Sequence, residues 1–467
     1  MQMLKIIKII LSLLLLVVIG YFVYSYYQKT AVLQNVVHVD AESVIKIGLH
    51  DIKKELVLDA LTSPSFYWEN TKSPKEEKEK DTISKPEKGI NLQPYSLVFY
   101  TMKSVSNTMF TTFKIDDAKN FDAYALKYLT EKNIKINNGE YKSAIDEKGK
   151  MMFAWNNSHL AIAISPKLST ENCKIIFDDV LLNNKLIDDK SNAYLQRLGA
   201  SEDHIIYLEG ESKVTLNFKD GKAVLDGIIN TNKPNAFNSE IIYQTVPSAS
   251  FEMFVDANFK NKENQTAVIN LLDGASFFEK NGINVATLLE KSTGVFSVAV
   301  KGTTTQIDTI VTYEYDDNFE KVEIKSTQEK IAPIIDLNMG SKAGVYAYLQ
   351  EQGAVGNGVL NAIPYYTFYA NKTTENVSFK TLKQSLPLQP KTGSYFFSLN
   401  TNFNLLQKDL NIPKAGKIAE LLETLRVNAQ QLEGNKVKLQ GKLIGANSDI
   451  NIISQLFFGL QPTDTIN

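Results

Sequence analysis

"GINLQPYSLVFYT" (Gly89–Thr101) and "GINVATLLEKSTGVFSVAV" (Gly282–Val300) open with the same three residues, each ahead of an apolar run of strand character. A glycine at such an entry point suits a positive φ, which side chains with a Cβ resist. Ile90 and Ile283 then plug the core just before the next strand. A strand-then-helix unit precedes each phrase. In the first, Val44 to Leu49 form the strand, and Asp51 is expected to cap a helix with Ile52, Leu56 and Ala60 on one face. In the second, Phe251, Met253 and Val255 alternate, and a helix through Val268 and Leu272 ends at Gly274. A third unit carries Tyr395, Phe397 and Leu399, then Phe403, Leu406 and Leu410. At the three strand-to-helix turns a short polar residue precedes an apolar one: Asp51-Ile52, Asn258-Phe259 and Asn402-Phe403.

The echo continues after each phrase. "TTFKIDDAKNF" (Thr111–Phe121) parallels "VTYEYDDNFEKV" (Val311–Val322), and Asp116 and Asp316 are expected to cap helices that follow. "MMFAWNNSHLAIAIS" reads as two strands turned at Asn156-Asn157, and "YYTFYANKTTENVSFKTL" as two strands around Asn371–Glu375. "KVTLNFKDGKAVLDGII" and "KVKLQGKLIG" close the two halves. These landmarks, repeated in one order, predict an α+β protein of two tandem, diverged halves, 31–235 and 236–467. Each half is expected to be an antiparallel sheet with helices on one face.

The chain begins "MQMLKIIKIILSLLLLVVIGYFVYSYYQKT", with twenty uncharged residues between Lys8 and Lys29. As a helix that run spans roughly 30 Å, the thickness of a bilayer's hydrocarbon core. Lys5 and Lys8 keep the leading end cytoplasmic, and Tyr21, Tyr24, Tyr26 and Tyr27 suit the far headgroup boundary. The run ends in Tyr-Tyr-Gln-Lys, without the small residues of a cleavage site and without a lipidation cysteine. Residues 1–30 are therefore expected to be a cytoplasmic tip and an uncleaved, single-pass anchor in the inner membrane. The bulk of the chain then lies in the periplasm. Within the first half, the charged stretch 69–88, with Pro74 and Pro86, is expected to be a disordered loop.

A formal net charge of −2 over 467 residues gives no basic surface for phosphates, which argues against nucleic acid as a partner. The single cysteine, Cys173, leads into an apolar run and reads as a buried, inert thiol. His38, His50, His159 and His204 stand in no metal-ligand spacing. Asp203-His204 lacks a nucleophile on a strained turn. The pairs Asp116-Asp117, Asp178-Asp179, Asp188-Asp189 and Asp316-Asp317 fit neither a calcium loop nor an acid–base couple. No glycine-rich phosphate loop occurs. Accordingly no catalytic residue, metal or cofactor is expected. The aromatic clusters at 65–68, 276–278 and 364–369 are the candidate binding surface, with Trp68, Tyr365 and Tyr366 as its foremost positions.

In its strand–helix openings, its Gly-Ile-Asn phrase and "LNFKDGK" (Leu216–Lys222), the chain resembles an uncharacterised family of Bacteroidota envelope proteins, commonly lipoproteins. The resemblance covers most of the region after residue 31 and implies an envelope location, with a transmembrane helix in place of the lipid anchor. It implies no catalytic residues. The function expected is that of a non-catalytic, membrane-anchored binding or scaffolding protein, whose partners are envelope proteins or lipid. The alternatives are a carrier or sensor of an apolar ligand such as lipid, and an enzyme with a site assembled from distant residues.

Overall fold

In the computed structural model the described residues are 32–71, 88–90, 95–146, 148–315, 319–342, 344–363, 365–384, 386, 389–411 and 416–460. The expected anchor lies outside them, and among them no helix is long and apolar enough to cross a membrane. The chain divides into two compact units, one ending at Phe218 and the next starting at Lys219.

The first unit opens with β1 (Ser43–Ile47), α1 (Leu49–Thr62) and α2 (Pro64–Thr71). Next come β2 (Leu97–Met102), β3 (Val105–Lys114) and α3 (Ala118–Glu131). The strands β4 (Ile136–Asn138), β5 (Lys142–Ile145), β6 (Met151–Trp155) and β7 (His159–Ile164) follow. Then α4 (Thr170–Leu181) and α5 (Ala193–Ala200) lead to β8 (Ile205–Glu209) and β9 (Ser212–Lys219). Every pairing is antiparallel, in the order β9-β8-β1-β2-β3-β7-β6-β5-β4.

The second unit starts with β10 (Lys222–Asn230), β11 (Ile241–Thr245) and β12 (Phe251–Asp256). Three helices follow: α6 (Lys262–Leu272), α7 (Ser276–Lys280) and α8 (Val285–Glu290). Two long strands, β13 (Ser292–Tyr315) and β14 (Lys321–Ser341), precede α9 (Val345–Glu351). Short strands β15 (Val355–Gly356), β16 (Val359–Leu360), β17 (Tyr369–Lys372), β18 (Asn376–Lys380) and β19 (Gln389–Gly393) come next. The unit ends with β20 (Tyr395–Asn402), α10 (Phe403–Leu410), α11 (Gly416–Leu421), β21 (Leu422–Gln431), β22 (Lys436–Gly445) and α12 (Ile452–Gly459). Its main sheet is again antiparallel, ordered β10-β22-β21-β20-β12-β13-β14-β18-β17-β16-β15, and β11 pairs with β19 as a separate two-stranded sheet.

One connectivity therefore occurs twice. The run β1-β2-β3-β7-β6-β5-β4 has its counterpart in β12-β13-β14-β18-β17-β16-β15, and β8 and β9 flank β1 as β20 and β21 flank β12. The helix after the third strand of each run, α3 or α9, packs with the strands that follow it. The glycine and isoleucine of the phrase share two features. Gly89 and Gly282 each have φ of 65°, and Ile90 and Ile283 are buried in these two helix-covered subcores.

Helices do not keep to one face in the first unit. Alternation along β3 sends Phe110 to the face covered by α4 and α5, and Phe113 to the face covered by α3. Each face has its own apolar cluster, so the sheet is a middle layer. In the second unit, Val255, Phe296, Leu337, Met339, Val377 and Phe379 meet the helices α6 to α9.

Several local expectations are corrected. Asp51 is the third residue of α1, not its cap; Gly48 holds the cap position. Ile52, Leu56 and Ala60 are only partly buried, and the buried residues of α1 are Asp51 and Asp59. The cap of α3 is Asp117 rather than Asp116, its carboxylate accepting from the Asn120 amide at 3.0 Å. After Asp316, which lies outside the described residues, no helix follows but β14, hydrogen-bonded to β13 from Tyr315↔Lys321 inward. Of the three strand-to-helix turns only Asn402 caps as its position suggests, accepting from Leu405; Asn261, not Asn258, caps α6. Stretch 69–88 begins as helix, since α2 runs to Thr71, and 72–87 lie outside the described residues.

Candidate functional site

Trp68 sits on α2 in the first unit, 67% exposed. Tyr365 and Tyr366 belong to the second unit and line a cavity of about 260 Å³ at the base of the β13–β14 hairpin. The three therefore do not converge within either unit. Gln306, buried on β13, holds the tyrosine loop: its Nε2 donates to Thr367 O (2.8 Å) and Thr381 O (2.7 Å), and its Oε1 accepts from the Thr367 amide (2.9 Å). Lys330, across the hairpin, donates to Tyr365 O and lies 5.1 Å from the centre of the Tyr366 ring.

Beyond that base the hairpin stands free of other strands. β12 pairs with β13 only through Val295–Val300, and β18 with β14 only through Asp336–Gly340. Past these registers the two strands pair, among the described residues, only with each other, out to Tyr315 and Lys321. Ile307, Val311, Tyr313, Val322, Ile324 and Ile331 are exposed along this arm, and Phe319 at its tip is 86% exposed. From Ile307 outward the arm reaches about 30 Å at the usual rise per strand residue.

The second unit also holds a cavity of about 370 Å³ on the sheet face opposite α6 to α9. Glu252 and Phe254 of β12, Ser297 of β13, and Asp336 and Asn338 of β14 share that face. Lys380 of β18 lies across from Asp336, its Nζ 3.3 Å from Oδ2, with both side chains buried. Asn338 Nδ2 donates to the other oxygen of Asp336 at 2.9 Å. Tyr243 of β11 stacks on Phe254 with ring centres 4.6 Å apart, so the two-stranded sheet roofs this face. In the first unit a row Leu208–Val44–Tyr100–Phe110–Ala163 crosses the sheet instead, buried under α4 and α5. The connection from β7 to β8 is long enough to carry those two helices. The connection from β18 to β20 carries, among the described residues, only β19, a thinner cover that leaves polar space.

Sequence reasoning missed Glu252, Asp336 and Lys380. Their signal was a charged residue inside otherwise apolar strands, in "FEMFVD", "PIIDLNM" and "NVSFK". Burial raises the Glu252 carboxyl above its ordinary value, against the opposing pull of the Val246 amide and Lys391. The folded chain thus holds that proton at pH values where the unfolded chain has lost it. Stability from this group is fully present below the unfolded value near 4.5 and declines as pH rises through the folded one. Glu252→Gln keeps the oxygen that accepts from Val246 (2.8 Å in the native protein) and removes the charge. Its urea midpoint is expected above that of the native protein at pH 7 and equal to it at pH 4; a difference independent of pH would refute the assignment.

The remaining chemistry-bearing residues have structural partners. Cys173 is fully buried and burial pushes its thiol up. His38, also buried, accepts from the Asp40 amide through Nδ1 and lies 3.5 Å from Asp179; burial lowers its pKa. His204 Nδ1 accepts from the Phe218 amide, while Asp203 takes the Ser201 hydroxyl and the Asn217 amide. Asp178 and Asp179 diverge, one to Tyr141 and the other to Lys185. Among the described residues, no group of three or more His, Cys, Asp or Glu could hold a metal ion.

No protein-family model and no curated protein matches the chain. A solved structure described as "Structure of crystal form III of TP0453" aligns with 73% of this chain and 89% of its own, at 7% identity and a TM-score of 0.20. A likeness at that level carries no argument about fold or function.

Proposed function

We propose that the chain is a non-catalytic binding or scaffolding protein of the bacterial envelope. Residues 1–30 tether it to the inner membrane, its two units lie in the periplasm, and its family is the Bacteroidota envelope family it resembles. The observation that carries this reading is the β13–β14 arm, a ribbon with apolar side chains exposed along both strands and both backbone edges open. Open strand edges are ready-made pairing surfaces, and soluble proteins usually shorten, charge or cover them. Exposing one on a membrane-tethered body suits a protein that gathers companions.

Pull-down of the full chain, followed by mass spectrometry of proteins and lipids, tests the reading against a variant with 307–329 replaced by a two-residue turn. Companions are expected with the native chain and to be lost with the variant. Recovery of the same companions from both would overturn the arm's role. A second reading, a small-molecule receptor, is favoured by the 370 Å³ cavity. Its lining carboxylates, Glu252, Asp336 and Glu375, suit a polar ligand better than an acyl chain. Native mass spectrometry of the purified protein tests it by the presence or absence of a bound small molecule.

A further inference from the structure

We infer that the arm's partner is a second copy of this chain, joined edge to edge through β14 so that two arms form one four-stranded antiparallel sheet. This rests on the reading of the arm as the contact element. Along Lys321–Glu329, β14 is hydrogen-bonded on one side only. The stretch contains no proline and no bulge; its edge protection is charge alone, from Lys321, Glu323, Lys325 and Glu329, which a partner strand of matching charge order neutralises.

In the registers centred on Val311 and on Ile324, the two edges of the arm differ in how their charges match. Two copies of β13 paired about Val311 would set Asp308 against Glu314 of the other copy, like charge on like. Two copies of β14 paired about Ile324 set Glu323 against Lys325, twice by symmetry. Glu323 and Lys325 already lie 3.3 Å apart within one chain. Pairing therefore closes a ring of four alternating charges on one face of the new sheet. On the other face Ile324 meets its own copy, flanked by the two Val322 side chains, 38% and 45% exposed respectively in the single chain. The rest of the register sets Lys321 against Thr327, Val322 against Ser326, and Glu320 against Gln328, with no like charges opposed. An anionic membrane surface is the poorer occupant, because acidic residues outnumber basic ones between Asp308 and Lys330. Tethering both copies to one bilayer raises their effective concentration.

Charge exchange in the full-length, detergent-solubilised chain tests the register by sedimentation equilibrium. Glu323→Lys alone opposes Lys to Lys, and Lys325→Glu alone opposes Glu to Glu. Each is expected to weaken self-association about tenfold or more. An equimolar mixture of the two variants restores both pairs as a mixed dimer, and the double variant E323K/K325E pairs with itself. Ile324→Cys is expected to form a disulfide-linked dimer under mild oxidation, whereas Val311→Cys is not. All four positions are solvent-exposed, so the fold survives the changes. A native chain that stays monomeric, or single variants that associate as the native chain does, would overturn the proposal. In that event, companions that are still lost with the shortened arm leave the binding reading intact.

Discussion

Replacing Gly89 with alanine is expected to destabilise the first unit by about 3 kcal/mol or more, while Gly282→Ala costs about 1 kcal/mol. Both glycines have φ of 65°, so both substitutions incur the left-handed penalty of a Cβ. Only one also meets backbone. A Cβ on Gly89 would lie 2.2 Å from Asp117 O and 2.4 Å from Phe121 N, against the capped first turn of α3. Gly89 O also accepts from the amides of Asp116 and Asp117 at 2.9 and 3.1 Å, so the turn cannot retreat without losing them. On Gly282 the nearest atom is Gln352 Oε1 at 3.9 Å, ordinary contact. Urea unfolding of the two variants decides the matter, and equal losses would show that the collision is relieved by movement of α3.

Asp336→Ala is expected to cost about 3 kcal/mol, because it leaves the Lys380 ammonium buried without its carboxylate. Side-chain exposures of 10% for Lys380 and 3% for Asp336 leave the pair little contact with bulk water. The same change strips Asn338 of its acceptor. Asp336→Leu combined with Lys380→Met removes both charges and fills the space with apolar atoms, so most of the loss should return. A double variant as unstable as the single one would mean that the pair's hydrogen-bonded surroundings, not its charges, carry the stability.

The elements with local punctuation were legible in the sequence. The β6–β7 turn follows from Asn156, whose side chain accepts from the amides of Ser158 and His159 at 2.8 Å, and β17–β18 from its polar tip. The α+β class and the recurrent Gly-Ile-Asn entry also follow from patterns a few residues long. The paired-aspartate phrase misled because its two copies diverge just afterwards. Phe121, Ala125 and Leu129 recur at helical spacing after the first, whereas Val322 and Ile324 alternate after the second. A shared turn did not mean a shared element. The apolar stripe of α1, Ile52, Leu56 and Ala60, is only partly buried, and the residues the helix buries are Asp51 and Asp59. The polar cavity was illegible for another reason. Glu252, Asp336 and Lys380 lie far apart in the chain, and only sheet register sets them on one face.

The twofold use of one strand order bears on how the chain reaches its native form. During folding, every strand of the first run has a rival in the second with the same neighbours in the same sequence. Exchange of β1 for β12 would satisfy backbone pairing, so discrimination falls to side chains. Lys46 supplies it on β1: buried, its Nζ donates to the carbonyls of Leu198 and Ser201 at the end of α5, at 2.9 and 2.7 Å. Among the described residues the β18–β20 connection carries no helix, so a β1 lodged in the second sheet would find no such helix end for that ammonium. One lysine thereby penalises the swapped assembly, and its replacement by methionine would be felt as slower, less faithful refolding more than as a weaker native state.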